Sequence, residues 1–105
     1  MASSDPILNL FRGALAEIYG DRIERVVLYG SRARGEEHAD SDYDIAVFLN
    51  DFTTCAREFR QIARAELTVL DATGATVHAM PFRAGTWRDP SSPLMYEIRK
   101  DGLDL

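Results

Sequence analysis

From Tyr43 to Leu49 the chain reads Tyr-Asp-Ile-Ala-Val-Phe-Leu, apolar everywhere but at Asp44. A run of this kind marks a strand central in its sheet. The segments around it have a helical period. Asp5 and Pro6 read as N-cap and first helical residue. Leu8, Phe11, Ala14, Leu15, Ile18 and Tyr19 follow on one face, and Gly20 stops the run, which predicts a helix over 6–19. Ala56, Phe59, Ile62, Ala63, Leu67 and Leu70 predict a second helix over 53–70, broken by Gly74. Two further strands are expected at 24–29 and 75–82, the latter limited by Pro81. The polar stretch 32–41 reads as a short helix and a loop, and 83–93 as a loop. Leu94, Met95 and Ile98 predict a closing helix that ends at Gly102. Helices alternating with three strands predict an α/β (α+β) arrangement of two or three layers.

The chain of 105 residues has room for one compact domain, expected over 1–105. Its 46% hydrophobic and 28% charged residues exclude disordered, collagen-like and fibrous classes. Twelve basic against 17 acidic residues give a net charge of −5, so direct nucleic-acid binding, which rests on neutralising phosphates, is not expected. Cys55 is the only cysteine, which rules out an internal disulfide and a Cys-rich zinc site. No basic patch followed by an apolar run opens the sequence, and its longest strongly apolar stretch, Ile45 to Leu49, is far short of a membrane span. A cytoplasmic location is the expectation.

The chemistry concentrates in Gly30-Ser31-Arg32-Ala33-Arg34-Gly35 and Ser41-Asp42-Tyr43-Asp44. Glycine at a strand exit allows a sharp turn and a close approach. A serine beside unpaired backbone N–H groups makes an anion site suited to nucleotide phosphates. Asp42 and Asp44, two apart at the head of a strand, share a face, and Tyr43 between them points away. Two neighbouring carboxylates repel unless a cation lies between them, and Mg²⁺ is commonly held by one or two carboxylates plus substrate phosphates. Ten residues separate Ser31 from Asp42. That spacing lets the chain return, so phosphate cradle and cation clamp meet at one edge, as two-metal phosphoryl or nucleotidyl transfer requires. Arg32 and Arg34 cannot share a helical face; Arg32 is the expected phosphate contact and Arg34 the solvated one. His38 is expected in an exposed loop, and Cys55 in packing or at the surface. No Gly-x-x-x-x-Gly-Lys loop, no Gly-x-Gly-x-x-Gly and no zinc-ligand spacing competes.

Gly-Ser, ten residues, then Asp-x-Asp resembles the signature of the polymerase-beta-like nucleotidyltransferases. The fuller Gly30-Ser31-Arg32-Ala33-Arg34-Gly35 with Asp40-Ser41-Asp42-Tyr43-Asp44-Ile45 is similar to the smallest members, the minimal nucleotidyltransferases, over nearly the whole chain. The resemblance implies a small mixed sheet flanked by helices. It implies ATP or another nucleoside triphosphate as substrate, two Mg²⁺ ions, and transfer of a nucleoside monophosphate to a hydroxyl with release of pyrophosphate. It implies that Gly30 and Ser31 bind the triphosphate and that Asp42 and Asp44 are catalytic metal ligands. A third carboxylate, in a later strand, is normal in the superfamily. Here the polar residue of that strand is His78, whose imidazole can accept a proton or bind metal but is a softer ligand for Mg²⁺. Asp71 lies near a helix end and is a poor substitute. A core histidine is the structural alternative for His78.

The family resemblance further implies a partner: minimal nucleotidyltransferases pair with small helical HEPN toxins, in a hetero-oligomer, and silence them by transferring AMP to a tyrosine. The competing reading is an impaired enzyme that neutralises its partner by binding alone. A transferase acting on a free small molecule is weaker, because such relatives carry a second substrate-gripping domain.

Overall fold

The computed structural model describes residues 5–36 and 42–105. Its order is α1 (Pro6–Tyr19), β1 (Ile23–Tyr29), β2 (Tyr43–Leu49), α2 (Cys55–Thr73), β3 (Val77–Arg83), α3 (Pro93–Asp101) and β4 (Leu103–Asp104), with 3₁₀ turns at Gly20–Arg22 and Thr86–Arg88. The local signals act as the sequence predicts. Asp5 Oδ1 accepts from Ile7 N at 2.8 Å and Pro6 opens α1. Thr54 and Ser92 cap α2 and α3 in the same way. Gly74 closes α2 in the left-handed conformation.

The sheet order is β3-β2-β1-β4, with β1 antiparallel to β2 and β4, and β2 parallel to β3. β2 is therefore central, as its apolar run requires. Its alternation divides the core. Ile45, Val47 and Leu49 join Val26, Leu28, Val77 and Ala79 under α1 and α2. Ala46 and Phe48 join Val27 under Met95 and Ile98 of α3. The arrangement is thus three-layered, and the face bearing Ala46 and Phe48 also bears Asp44. Pro81 sits within β3 without ending its ladder, because β3 is an edge strand and only one side of it is paired.

Two elements differ from expectation. The stretch 31–35 forms turns rather than a short helix: Arg34 N donates to Gly30 O and Glu36 N to Ser31 O, while Gly30 and Gly35 take positive φ at either end. Four residues between two such glycines cannot offset the cost of nucleating a helix. The remainder of that expected segment, with His38, Asp40 and Ser41, lies outside the described residues. Strand β4 was not foreseen: Gly102 ends α3 and the next two residues add to β1 through Val27 and Leu28.

Gly102 makes that return possible. A Cβ there would lie 2.5 Å from Val27 Cγ1 and collide with the Ile98 carbonyl. Gly102→Ala is expected to cost about 1–3 kcal/mol, the usual range for overpacking. Urea denaturation would check it; an unchanged midpoint would show that α3 shifts freely over β1. Among the described residues no helix is long and apolar enough to cross a membrane.

Candidate active site

Three strand residues form a row at one end of the sheet. Tyr29 of β1 pairs with Asp44 of β2, and Asp44 pairs with His78 of β3. Directly paired residues project to the same face, here the one covered by α3. Tyr29 is the last residue of β1, so the turn Gly30–Glu36 rises at this mouth, and Asp42 enters it one residue before β2 begins.

Gly30 is shaped for Asp44. It has φ 78°, and a Cβ placed on it would come within 2.7 Å of Asp44 Oδ2. The carboxylate therefore rests where any side chain at position 30 would stand. Burial pushes the Asp44 carboxyl above the usual range; His78 pulls it down, and Asp42 and Glu97 push it up again. The sign follows by linkage: a raised folded pKa means the folded chain binds the extra proton, so ionising Asp44 subtracts stability as pH rises through that window. A cation at the site would remove that penalty. Tyr29 is pushed up as well, by burial and then by Asp44 and Glu97.

The residues expected to act divide by face. Gly30, Asp44 and His78 are brought together, and Asp42 is close enough for its charge to be felt at Asp44. His78 is exposed, so it is not a core histidine. Ser31 lies half-buried in the turn. Arg32 goes elsewhere: its guanidinium lies 3.9 Å from the ring centre of Tyr43, whose side chain joins the α1/α2 core on the opposite face from Asp44. Arg34 instead ties the turn to α3, with Nη1 3.1 Å from Glu97 Oε1 of α3 and Nε 3.1 Å from Glu36 Oε1. Cys55 is exposed at the start of α2. Tyr29, Arg34 and Glu97 were not assigned to the site from sequence. For Tyr29 the signal was available, since it alternates with Val27 onto the same face.

Among the described residues no group of three or more His, Cys, Asp or Glu is gathered closely enough to hold a metal ion. Two carboxylates nevertheless fit Mg²⁺, which takes hard oxygen donors and completes its shell with water and phosphate. The glycine-backed Asp44 carboxylate, partly withdrawn from water, is such a donor.

Comparison with known proteins bears on the fold and the family. A curated protein of Methanocaldococcus jannaschii, named provisionally as a protein adenylyltransferase, is 33% identical over 48 residues. That match spans 46% of this chain and 48% of the relative, so the chain spans about half the relative's length. A crystal structure of a toxin–antitoxin with AMP-PNP superposes with TM-score 0.66 at 21% identity, covering 91% of this chain and 69% of that one. A structure described, provisionally, as a minimal nucleotidyltransferase superposes with TM-score 0.58 at 23% identity, covering 99% and 100%. At these identities the likeness is one of fold. Residues 15–102 match the model of a family described as polymerase beta, nucleotidyltransferase, and the chain belongs to that family.

Proposed function

We propose that this protein, as one domain over 1–105, transfers AMP or another nucleoside monophosphate from a nucleoside triphosphate to a hydroxyl of a partner protein. The observation that carries the reading is the Asp44 carboxylate seated against Gly30, with Asp42 and His78 beside it at the mouth of the turn. In the reaction the acceptor oxygen attacks the α-phosphorus, its bond to the β-phosphate oxygen breaks, and pyrophosphate leaves. In this reading His78 takes the acceptor's proton, which its exposure and its pairing with Asp44 support. Gly30 and Ser31 present the turn to the triphosphate, and Arg34 adds positive charge, Arg32 being held over the Tyr43 ring. Asp42 and Asp44 would hold Mg²⁺, two ions by family resemblance, which supply charge compensation to the phosphates.

The partner we propose is a HEPN-type toxin, a tyrosine is the acceptor, and the chain is its cytoplasmic antitoxin in a hetero-oligomer. The toxin–antitoxin with AMP-PNP supports this direction through its shared fold. ATP labelled at the α-phosphate, incubated with Mg²⁺, this protein and its toxin, should leave label on the toxin. The label should vanish when Asp42→Asn and Asp44→Asn are combined. A second reading is favoured by His78 standing in the strand where a third acid is expected: a catalytically impaired antitoxin that acts by binding alone. Neutralisation that survives the double substitution, with no label on the wild-type mixture, would establish that reading instead.

His78→Asp separates the roles of the imidazole. A third acid beside Asp44 is expected to raise transfer at least tenfold, within the usual range for a well-placed base. Because His78 is exposed, a fall in rate would show that the imidazole itself serves the transfer better than a carboxylate at this place.

A further inference from the structure

Arg34 is held between two acids of different origin. Glu36 is two residues away in the same turn, whereas Glu97 reaches in from α3, 63 residues further along the chain. Glu97 stands on α3 between Met95 and Ile98, whose cluster also packs Tyr29, the strand partner of Asp44, so it reaches the turn from the side of the mouth. Among the described residues of the turn, Arg34 is the arginine that meets α3, and α3 supplies it with a carboxylate. Carboxylate and phosphate oxygens satisfy the same guanidinium fork, so they compete for it. The Arg34 and Glu97 side chains are 34% and 42% exposed. Pairs this open to water contribute little and exchange readily. A phosphate group carries more charge than a carboxylate and wins that exchange.

On the reading that this site takes a nucleoside triphosphate, we infer that Glu97 is a built-in stand-in for a phosphate group: it positions Arg34 before the nucleotide arrives, is displaced by it, and so sets the affinity for the triphosphate tail. Glu97 acts through Arg34 and touches no reacting atom.

Calorimetric titration of the purified chain with AMP-PNP and Mg²⁺ tests the assignment. Glu97→Gln removes the competitor and is expected to tighten binding about two- to fivefold, the worth of an exposed ion pair. Arg34→Gln is expected to weaken binding about tenfold or more, as loss of a charge-assisted contact does. In the Arg34→Gln background, Glu97→Gln should change nothing. That last arm separates displacement from a general easing of negative charge near Asp44, which would tighten binding with or without Arg34. Unchanged or weaker binding in Glu97→Gln overturns the inference, as does tightening that persists without Arg34; in either case the nucleotidyltransferase reading stands. No heat from the wild-type protein at millimolar nucleotide removes that reading, and the role of Glu97 with it.

Discussion

Gly30→Ala is expected to lower nucleotidyl transfer a hundredfold or more while leaving the protein folded. Alanine at φ 78° costs about 1–2 kcal/mol, the penalty of an L-residue in the left-handed region. That corresponds to a fall in Tm of roughly 5–15 °C for a chain of this length. The larger effect is local. The new methyl would stand 2.7 Å from Asp44 Oδ2, so the carboxylate must turn aside. Displacing a positioned group by about 1 Å is enough to cost 10²-fold in rate. Gly35→Ala is the control: it has a similar φ of 74°, but among the described residues nothing stands within 4 Å of where its Cβ would go. It should lose comparable stability and keep most of its transfer. Equal activity losses in the two variants, read by label on the partner alongside thermal melts, would show that turn strain and not the Asp44 contact governs the rate.

Arg22→Ala is expected to produce the largest loss of stability. Glu58 of α2 is fully buried, and Arg22 Nη2 reaches its Oε2 at 3.1 Å. The same nitrogen donates to the Asp51 carbonyl at 3.0 Å, and the guanidinium lies over Tyr19. Burial and the neighbouring Glu58 raise the Tyr19 phenol, which keeps it neutral. Removing one partner of a buried pair leaves an uncompensated charge and costs about 3–5 kcal/mol. Arg22 is 25% exposed, so water relieves part of that, and about 2–3 kcal/mol is the expected loss. Tm should fall by roughly 10–20 °C. Adding Glu58→Gln should restore part of it, because the orphaned charge is then gone. A shift of only a degree or two in Arg22→Ala would mean that water already screens Glu58.

The elements with strong local signals were legible in advance. Capped helices with one apolar face, and a strand apolar on both sides, carry their own period, and α1 and β2 keep the expected limits. What escaped was decided by tertiary contact. The turn after Gly30 is fixed by two positive-φ glycines and by the return of the chain toward β2, not by helix propensity. Strand β4 is two residues long and exists because Gly102 lets the chain lie against Val27. In the candidate site the meeting of Gly30 with Asp44 followed from spacing and alternation, and the place of His78 from the family resemblance alone. The partition of Arg32 and Arg34 did not, since two-residue spacing in a turn does not say which arginine meets an aromatic ring and which meets α3.

Asp5 does two jobs. One oxygen caps α1, and the other accepts the hydroxyl of Tyr43 at 2.7 Å. Tyr43 lies between the two acids, so the opening turn of the first helix and the carboxylate-bearing end of β2 are moored to a single side chain. Cargo fused immediately ahead of Asp5 would tug on that mooring, and a tag placed there is the wrong handle for measuring nucleotide affinity.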